Sequence, residues 1–200
     1  DFIISPSIIK VLEQLLGEEM LAVQTSYYFK APGASGLPLH QDNYSIGAVP
    51  DTTYAVWVGL DAADRENGGL VLVPGSHHSQ LTSPEKVPEY VTVYGQRIPK
   101  PEDAETVELS TGIGDVVIFN GNVYHGSTDN NSRHQFRRAL VTHYARTSVE
   151  RITLNYNYLI DKRGNKVRKR FNPQPKVIET KSNVFEFATA KYFDQLIKRD

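Results

Sequence analysis

No cysteine occurs in the 200 residues, which excludes a disulfide scaffold, a thiolate metal site and a cysteine nucleophile together. No apolar run approaches the ~18 residues that a membrane span needs. No basic-then-apolar leader opens the chain either, so a cytoplasmic setting is the default expectation. Charge of one sign is also lacking overall, with 22 basic against 23 acidic side chains, and no recognised nucleic-acid-binding motif is present. What is there suffices for a globular enzyme: at 200 residues and 40% hydrophobic content, one domain with a real core is expected.

The near-zero total hides an asymmetry. Residues 1–150 carry 10 basic and 18 acidic side chains, whereas residues 151–200 carry 12 basic and 5 acidic. Much of the basic excess lies in Lys162-Arg163-Gly164-Asn165-Lys166-Val167-Arg168-Lys169-Arg170, where Arg163-Gly164-Asn165 reads as a hairpin turn between two strands. A patch for a phosphorylated carrier, a thioester cofactor or nucleic acid is one reading. A solvated hairpin packed on the acidic body is the better one, since charge runs are usually solvated faces.

Along the chain, Ser5 as cap, Pro6 in the first turn, a stripe of Ile8, Ile9, Leu12, Leu15 and Leu16, and Gly17 as stop predict a helix on the outside of a sheet. Strands are predicted over 22–30, 52–60, 70–73, 106–109, 115–119 and 137–144. Short strands punctuated by turns favour an all-β sandwich or barrel over a parallel α/β fold. Residues 79–105 hold Pro84, Pro88, Pro99 and Pro101 without periodic pattern. A loop of that length is often functional, here as a lid or substrate wall, the alternative being an excursion away from the site. Asn183 and Glu186 cap a second helix with Phe185, Ala188, Tyr192 and Leu196 on one face.

The chemistry is carried by His40-Gln41-Asp42 and, 83 residues after Asp42, by His125. Two imidazoles and one carboxylate make the facial triad that holds non-haem Fe(II) and leaves coordination positions open. On an extended strand alternate residues share a face, so His40 and Asp42 would point together while Gln41 turns aside. His125 follows the apolar run Val116-Val117-Ile118-Phe119 and a turn pair, Asn120-Gly121, which would deliver it to a barrel rim. Downstream, Arg137 and Arg138 are neighbours on one strand and face opposite ways. Either Arg137 enters the barrel with Ala139 and Val141, or Arg138 enters with Leu140 and Thr142; pattern alone does not decide. His77, His78, His134 and His143 each fit a rim, turn or core role better than a ligand role. Tyr44, Tyr54 and Tyr124 lie near the ligand segments in sequence and are candidates for substrate contact or for strand core.

The segments Pro38-Leu39-His40-Gln41-Asp42, Ala55-Val56-Trp57-Val58-Gly59-Leu60-Asp61, Glu66-Asn67-Gly68-Gly69-Leu70-Val71-Leu72-Val73-Pro74-Gly75-Ser76-His77, Gly114-Asp115, His125-Gly126-Ser127 and Arg137-Arg138-Ala139-Leu140 stand in this order within residues 24–146. In them the chain resembles the phytanoyl-CoA dioxygenase family of Fe(II)/2-oxoglutarate oxygenases. The resemblance implies a mainly β double-stranded β-helix (jelly roll, cupin-like) with flanking α-helices and iron at its mouth. It implies His40, Asp42 and His125 as catalytic metal ligands, Arg137 as partner of the distal carboxylate of 2-oxoglutarate, and Trp57 and Ser127 as lining of the co-substrate pocket. The cofactors would be Fe(II), 2-oxoglutarate and O2, with succinate and CO2 as co-products.

The expected reaction is hydroxylation of an unactivated C–H bond in a small organic substrate, carrier-linked or a secondary metabolite. Halogenation needs a vacant position where Asp42 stands. Desaturation, epoxidation and cyclisation share the same ligands, and a non-enzymatic jelly-roll binding protein is the rival from another class. Residues 1–200 are expected to form a single oxygenase domain, with the jelly-roll core at about 22–146 and a hairpin and helix in 151–200. The chain opens on Asp1, and its one methionine is Met20. An engineered piece and a trimmed product are both open readings; the resemblance implies a longer N-terminus, whose helices could carry substrate contacts.

Overall fold

Period-two burial along the long strands builds two sheets that face each other. The structure is a computed structural model and describes residues 2–86, 88, 96–100 and 104–173. The strands are β1 (Met20–Lys30), β2 (Thr53–Gly59), β3 (Leu70–Leu72), β4 (Glu85–Lys86), β5 (Gln96–Arg97), β6 (Val107–Glu108), β7 (Val116–Asn120), β8 (His125–Ser127), β9 (Arg137–Arg146), β10 (Arg151–Ile152), β11 (Tyr158–Ile160), β12 (Lys166–Arg168) and β13 (Arg170–Phe171). The main sheet runs β12-β11-β1-β9-β2-β7 and the smaller one β6-β3-β8. All their pairings are antiparallel. This is the mainly β, cupin-like jelly roll that the strand spacing and the family resemblance implied.

Strand β9 is the spine. Its inner face carries Arg137, Ala139, Val141 and His143, which pair across β1 with Lys30, Tyr28, Ser26 and Gln24. On the β2 side, Ala139, Val141 and His143 lie opposite Gly59, Trp57 and Ala55. Ala55, Trp57, Phe119, Ala139 and Val141 meet Leu70 of the smaller sheet to form the inter-sheet core. A one-residue bulge at Val23 separates the pairs Ala22–Tyr144 and Gln24–His143, and so turns Gln24 inward.

Helix α1 (Pro6–Leu16) closes the outer face at one end of the main sheet. Ile9 and Leu12 are buried there against Met20, Ala22, Val56 and Tyr144. Burying each such aliphatic side chain contributes about 1.5–3 kcal/mol. Gly17 ends the helix in the left-handed region, φ 71°, donating its N–H to Glu13 O. Ser5 stands at the N-cap as expected, but its side chain makes no capping hydrogen bond. The basic hairpin is also present: β11 and β12 pair around Gly164. Lys162 reaches Glu13 and Glu19 of the acidic body at 3.1 and 2.6 Å.

One expectation is corrected. His40 and Asp42 are not on a common strand. His40 makes an isolated bridge with His125, Gln41 is extended, and Asp42 opens a short helix α2 (Asp42–Ile46). Because the backbone stays extended through Gln41, at φ −120° and ψ 122°, both side chains still reach the same space. The helix expected at Asn183–Leu196 lies outside the described residues. No helix among the described residues is long and apolar enough to cross a membrane.

Two substitutions separate scaffold from site. A Cβ on Gly126 would lie 2.5 Å from the carbonyl oxygen of Leu37, so Gly126→Ala forces the 37–40 segment away from β8. We expect a loss of about 1–3 kcal/mol in urea unfolding together with weakened metal binding. Leu12→Ala leaves a cavity under α1, and we expect a loss of about 2–5 kcal/mol with metal affinity unchanged.

Candidate metal centre

Backbone pairing places the first two donors. His40 N donates to His125 O at 2.9 Å and His125 N to His40 O at 3.1 Å, so the two residues sit directly opposite and their rings lie 4.1 Å apart between centroids. Ser127 N donates to Leu37 O at 2.9 Å, and Gly126 permits that approach by having no side chain. The first turn of α2 then brings in Asp42, whose carboxylate oxygens stand 3.5 Å from His40 Nε2 and 3.5 Å from His125 Nε2. The three donor atoms all lie within 4.8 Å of one another, near enough for one cation to gather them.

The imidazoles are prepared for a cation. His40 Nδ1 donates to Pro38 O at 2.9 Å and His125 Nδ1 to Val123 O at 3.0 Å. The proton is thereby fixed on Nδ1, and each Nε2 lone pair faces Asp42. Burial pushes His125 down to about 4 despite the opposing charge of Asp42, so its ring is neutral at physiological pH. Burial alone would raise the Asp42 carboxyl, but His125, His143 and His40 around it hold it well below the usual carboxylate range. Asp42 Oδ2 is wholly buried, with His143 Nε2 2.9 Å away. An ionised carboxylate beside two outward imidazole lone pairs is a donor set that fits a divalent metal.

The donors open onto a cavity of about 240 Å³. Trp57, Leu70, Phe119 and Val141 form its apolar wall, and Arg137, Lys30 and Ser127 also line it. The alternation on β9 resolves the arginine question: Arg137 is inward and buried, its Nε donating to Gly68 O at 2.8 Å. Arg138 is outward and grips Asp61 through two hydrogen bonds of 2.7 and 2.6 Å. Every site residue expected from the sequence is thus brought together in one cavity.

Two residues of the site had escaped the sequence reading. Lys30 ends β1 opposite Arg137, is only 8% exposed, and donates to Ser127 Oγ at 2.8 Å and Thr128 O at 2.6 Å. Burial, followed by the neighbouring Arg137 charge, lowers its pKa to about 8. His143, which fitted a core role on pattern, lies with Nε2 2.9 Å from Asp42 Oδ2 and also lines the cavity. Inward alternation from Arg137 carried a signal for His143. Lys30 had none, since its place depends on cross-strand register.

The other expectations divide. His77 and His78 stack on each other in a turn and do not line the cavity. Tyr124 is core, its hydroxyl 2.5 Å from Thr82 Oγ1, and Tyr54 lies under Arg146, 5.4 Å from ring centroid to guanidinium carbon. Tyr44 lines a smaller cleft of about 120 Å³ together with His40, Pro84 and Arg97. The described parts of 79–105 strap the metal segment: Ile98 N donates to Leu39 O at 2.8 Å, and Thr82 N to the Gln41 side chain at 2.8 Å.

Comparison with known proteins agrees with this geometry. The phytanoyl-CoA dioxygenase (PhyH) family profile matches residues 1–139. The chain is 31% identical over 149 residues to the peroxisomal phytanoyl-CoA dioxygenase of Homo sapiens, covering 70% of this chain and 44% of that protein. It is 31% identical over 181 residues to a 2-aminoethylphosphonate dioxygenase of an uncultured bacterium, covering 90% and 64%. The chain spans about half the length of the phytanoyl-CoA dioxygenases it matches. Among solved structures, the epimerase SnoN in complex with Fe3+, alpha ketoglutarate and nogalamycin RO superposes with a TM-score of 0.59 at 18% identity, over 74% of this chain and 59% of that one. A His-Asp-His cluster of the type that holds non-haem iron, set in a cupin-like barrel and matched across residues 1–139, leaves no doubt of descent: the chain belongs to the phytanoyl-CoA dioxygenase family, whose cofactor set is Fe(II), 2-oxoglutarate and O2.

Proposed function

We propose that this chain is an Fe(II)/2-oxoglutarate-dependent oxygenase that hydroxylates an unactivated C–H bond of a small organic substrate. The observation that carries the reading is the polarity of one cavity, with three convergent donors and two buried cations, Lys30 and Arg137, on its wall. His40, Asp42 and His125 would hold the metal; Arg137 and Lys30 would take the distal carboxylate of the keto acid. A guanidinium offers that carboxylate two parallel hydrogen bonds. Ser127 would add its hydroxyl, and Trp57 would pack on the carbon chain.

When bound, Fe(II) with 2-oxoglutarate and O2 supplies the oxidation: the keto acid leaves as succinate and CO2, and the second oxygen atom becomes the new hydroxyl. The protein's part is placement and exclusion. Phe119, Leu70 and Val141 keep water from the reacting centre, and His40, which borders both clefts, marks the side from which substrate would approach. Asp42 occupies the position that halogenation requires vacant, which favours hydroxylation. The relatives are named for substrates as unlike as an acyl-CoA and an aminophosphonate, which supports placing specificity in the cleft beside the metal, lined by Tyr44, Pro84 and Arg97. We take residues 1–200 as one oxygenase domain, a reading supported by the hydrogen bonds of Thr82 and Ile98 to the metal segment.

Anaerobic addition of Fe(II) and 2-oxoglutarate to metal-free protein should produce a visible charge-transfer band in wild type and none in His40→Ala. A folded wild type without the band would make the protein a binding barrel. Arg137→Leu should weaken 2-oxoglutarate binding about 10- to 100-fold, as loss of a buried charged hydrogen-bond pair implies, while Arg138→Leu leaves it unchanged in the same titration.

The affinity should also depend on pH in a stated direction. With its pKa lowered to about 8, Lys30 is protonated below that pH and neutral above it, whereas a bound dianion favours the protonated form. Calorimetric titration should therefore show 2-oxoglutarate binding that weakens as pH rises through about 8. Lys30→Met should bind more weakly throughout and without this dependence.

A further inference from the structure

On the reading that the triad holds a divalent metal, we infer that His143 and Gln24 form a positioning pair that orients the Asp42 carboxylate for that metal. Three imidazoles surround this one carboxylate, and they do not present the same atom to it. His40 and His125 spend their Nδ1 protons on backbone carbonyls and offer lone pairs. His143 is wired the opposite way: Gln24 Nε2 donates to its Nδ1 at 3.3 Å, which leaves the ring proton on Nε2. That atom lies 2.9 Å from Asp42 Oδ2, and neither atom has any other hydrogen-bond partner. Two lone pairs at that distance inside a buried site would repel, so a proton stands between them. His143 is therefore a donor to the ligand rather than a fourth ligand.

The fold makes a specific provision for this arrangement. Without the bulge at Val23, the residue opposite His143 would be Val23, which has no polar atom to set the tautomer. With it, Gln24 pairs with His143. Bulges are found where a strand must re-aim a side chain beside an active site. A hydrogen bond to the non-ligating oxygen of a metal-bound carboxylate fixes which oxygen binds and in what direction.

The test uses Co(II) alone as an optical probe, titrated anaerobically into the metal-free full chain. His143→Phe keeps the ring volume and removes the donor. We expect its Co(II) dissociation constant to rise about 10- to 100-fold, with a shifted d–d spectrum and little change in the thermal midpoint of the metal-free protein. His143→Gln, whose amide can still donate, should regain most of the affinity. Gln24→Leu, at a half-buried position that carries the test should the His143 variants misfold, should show a smaller loss in the same direction. Wild-type affinity and spectrum in both His143→Phe and Gln24→Leu would overturn the inference and leave the metal reading standing. So would a loss in His143→Phe that the Gln variant fails to repair and that is matched by lower metal-free stability. Failure of wild type to bind Co(II) at all would overturn the metal reading and this inference with it.

Discussion

A single exchanged pair of backbone hydrogen bonds, between His40 and His125, is the constraint on which the rest depends. It joins a segment that belongs to no strand to the edge of the smaller sheet, and it does so only because Gly126 lets the Leu37 carbonyl approach to where a side chain would be. Once the pair is made, two imidazoles are side by side by backbone geometry rather than by side-chain packing. Placing them costs little rotamer freedom beyond what each ring's own carbonyl acceptor removes. The carboxylate comes from the next residue but one, through an extended link and a helical turn. The site is thus preorganised by main chain, which is the firmest support a protein can give a ligand set.

Electrostatics explains why this arrangement is stable enough to wait for its metal. A buried carboxylate without partners would be expected to take up a proton. Asp42 is instead held ionised by the rings around it, while His125 is held neutral by its own burial. The cluster therefore stands in the protonation state that a metal needs, and no proton has to be displaced from His125 or Asp42 on binding near neutral pH. Elsewhere in the cavity the sign is reversed. Burial, and then the neighbouring charge of Arg137, lowers the pKa of Lys30.

Much of this was legible in the sequence, and the part that was not has a common cause. Helix α1 was readable because its stripe, its proline and its terminal glycine are local signals, and the hairpin around Gly164 for the same reason. The triad was readable because a H-x-D segment, a rim histidine and a following arginine keep a fixed order. The inward choice of Arg137 was left open by alternation, because two adjacent arginines fit either phase; the family resemblance favoured the phase that the structure takes. The state of the 40–42 segment, the pairing of Lys30 with Arg137 and the approach of His143 to Asp42 all depend on contacts between segments far apart in the chain. A β-bulge of one residue is enough to exchange Val23 for Gln24 at the key position, and nothing in the local pattern of Ala22-Val23-Gln24 announces it.

The two charged regions of the cavity, taken together, argue for the order in which the proposed site fills. A divalent cation on one carboxylate leaves one positive charge near Asp42, and Lys30 and Arg137 add up to two more in the same cavity of about 240 Å³. Such a cluster is costly while no anion faces it, since the neutral acceptors Gly68 O, Ser127 Oγ and Thr128 O do not cancel its charge. A dicarboxylate that chelates the metal at one end and meets the cations at the other offsets charge in both regions at once. Each charged end raises the affinity of the opposite end for the same ligand, so metal and keto acid should bind with positive coupling. The substrate would then meet a site with at most one positive charge left over, and the cleft beside His40, lined by Tyr44, Pro84 and Arg97, is left to discriminate. In the proposed site, cofactor chemistry would thus rest with the barrel and substrate choice with the cleft beside it.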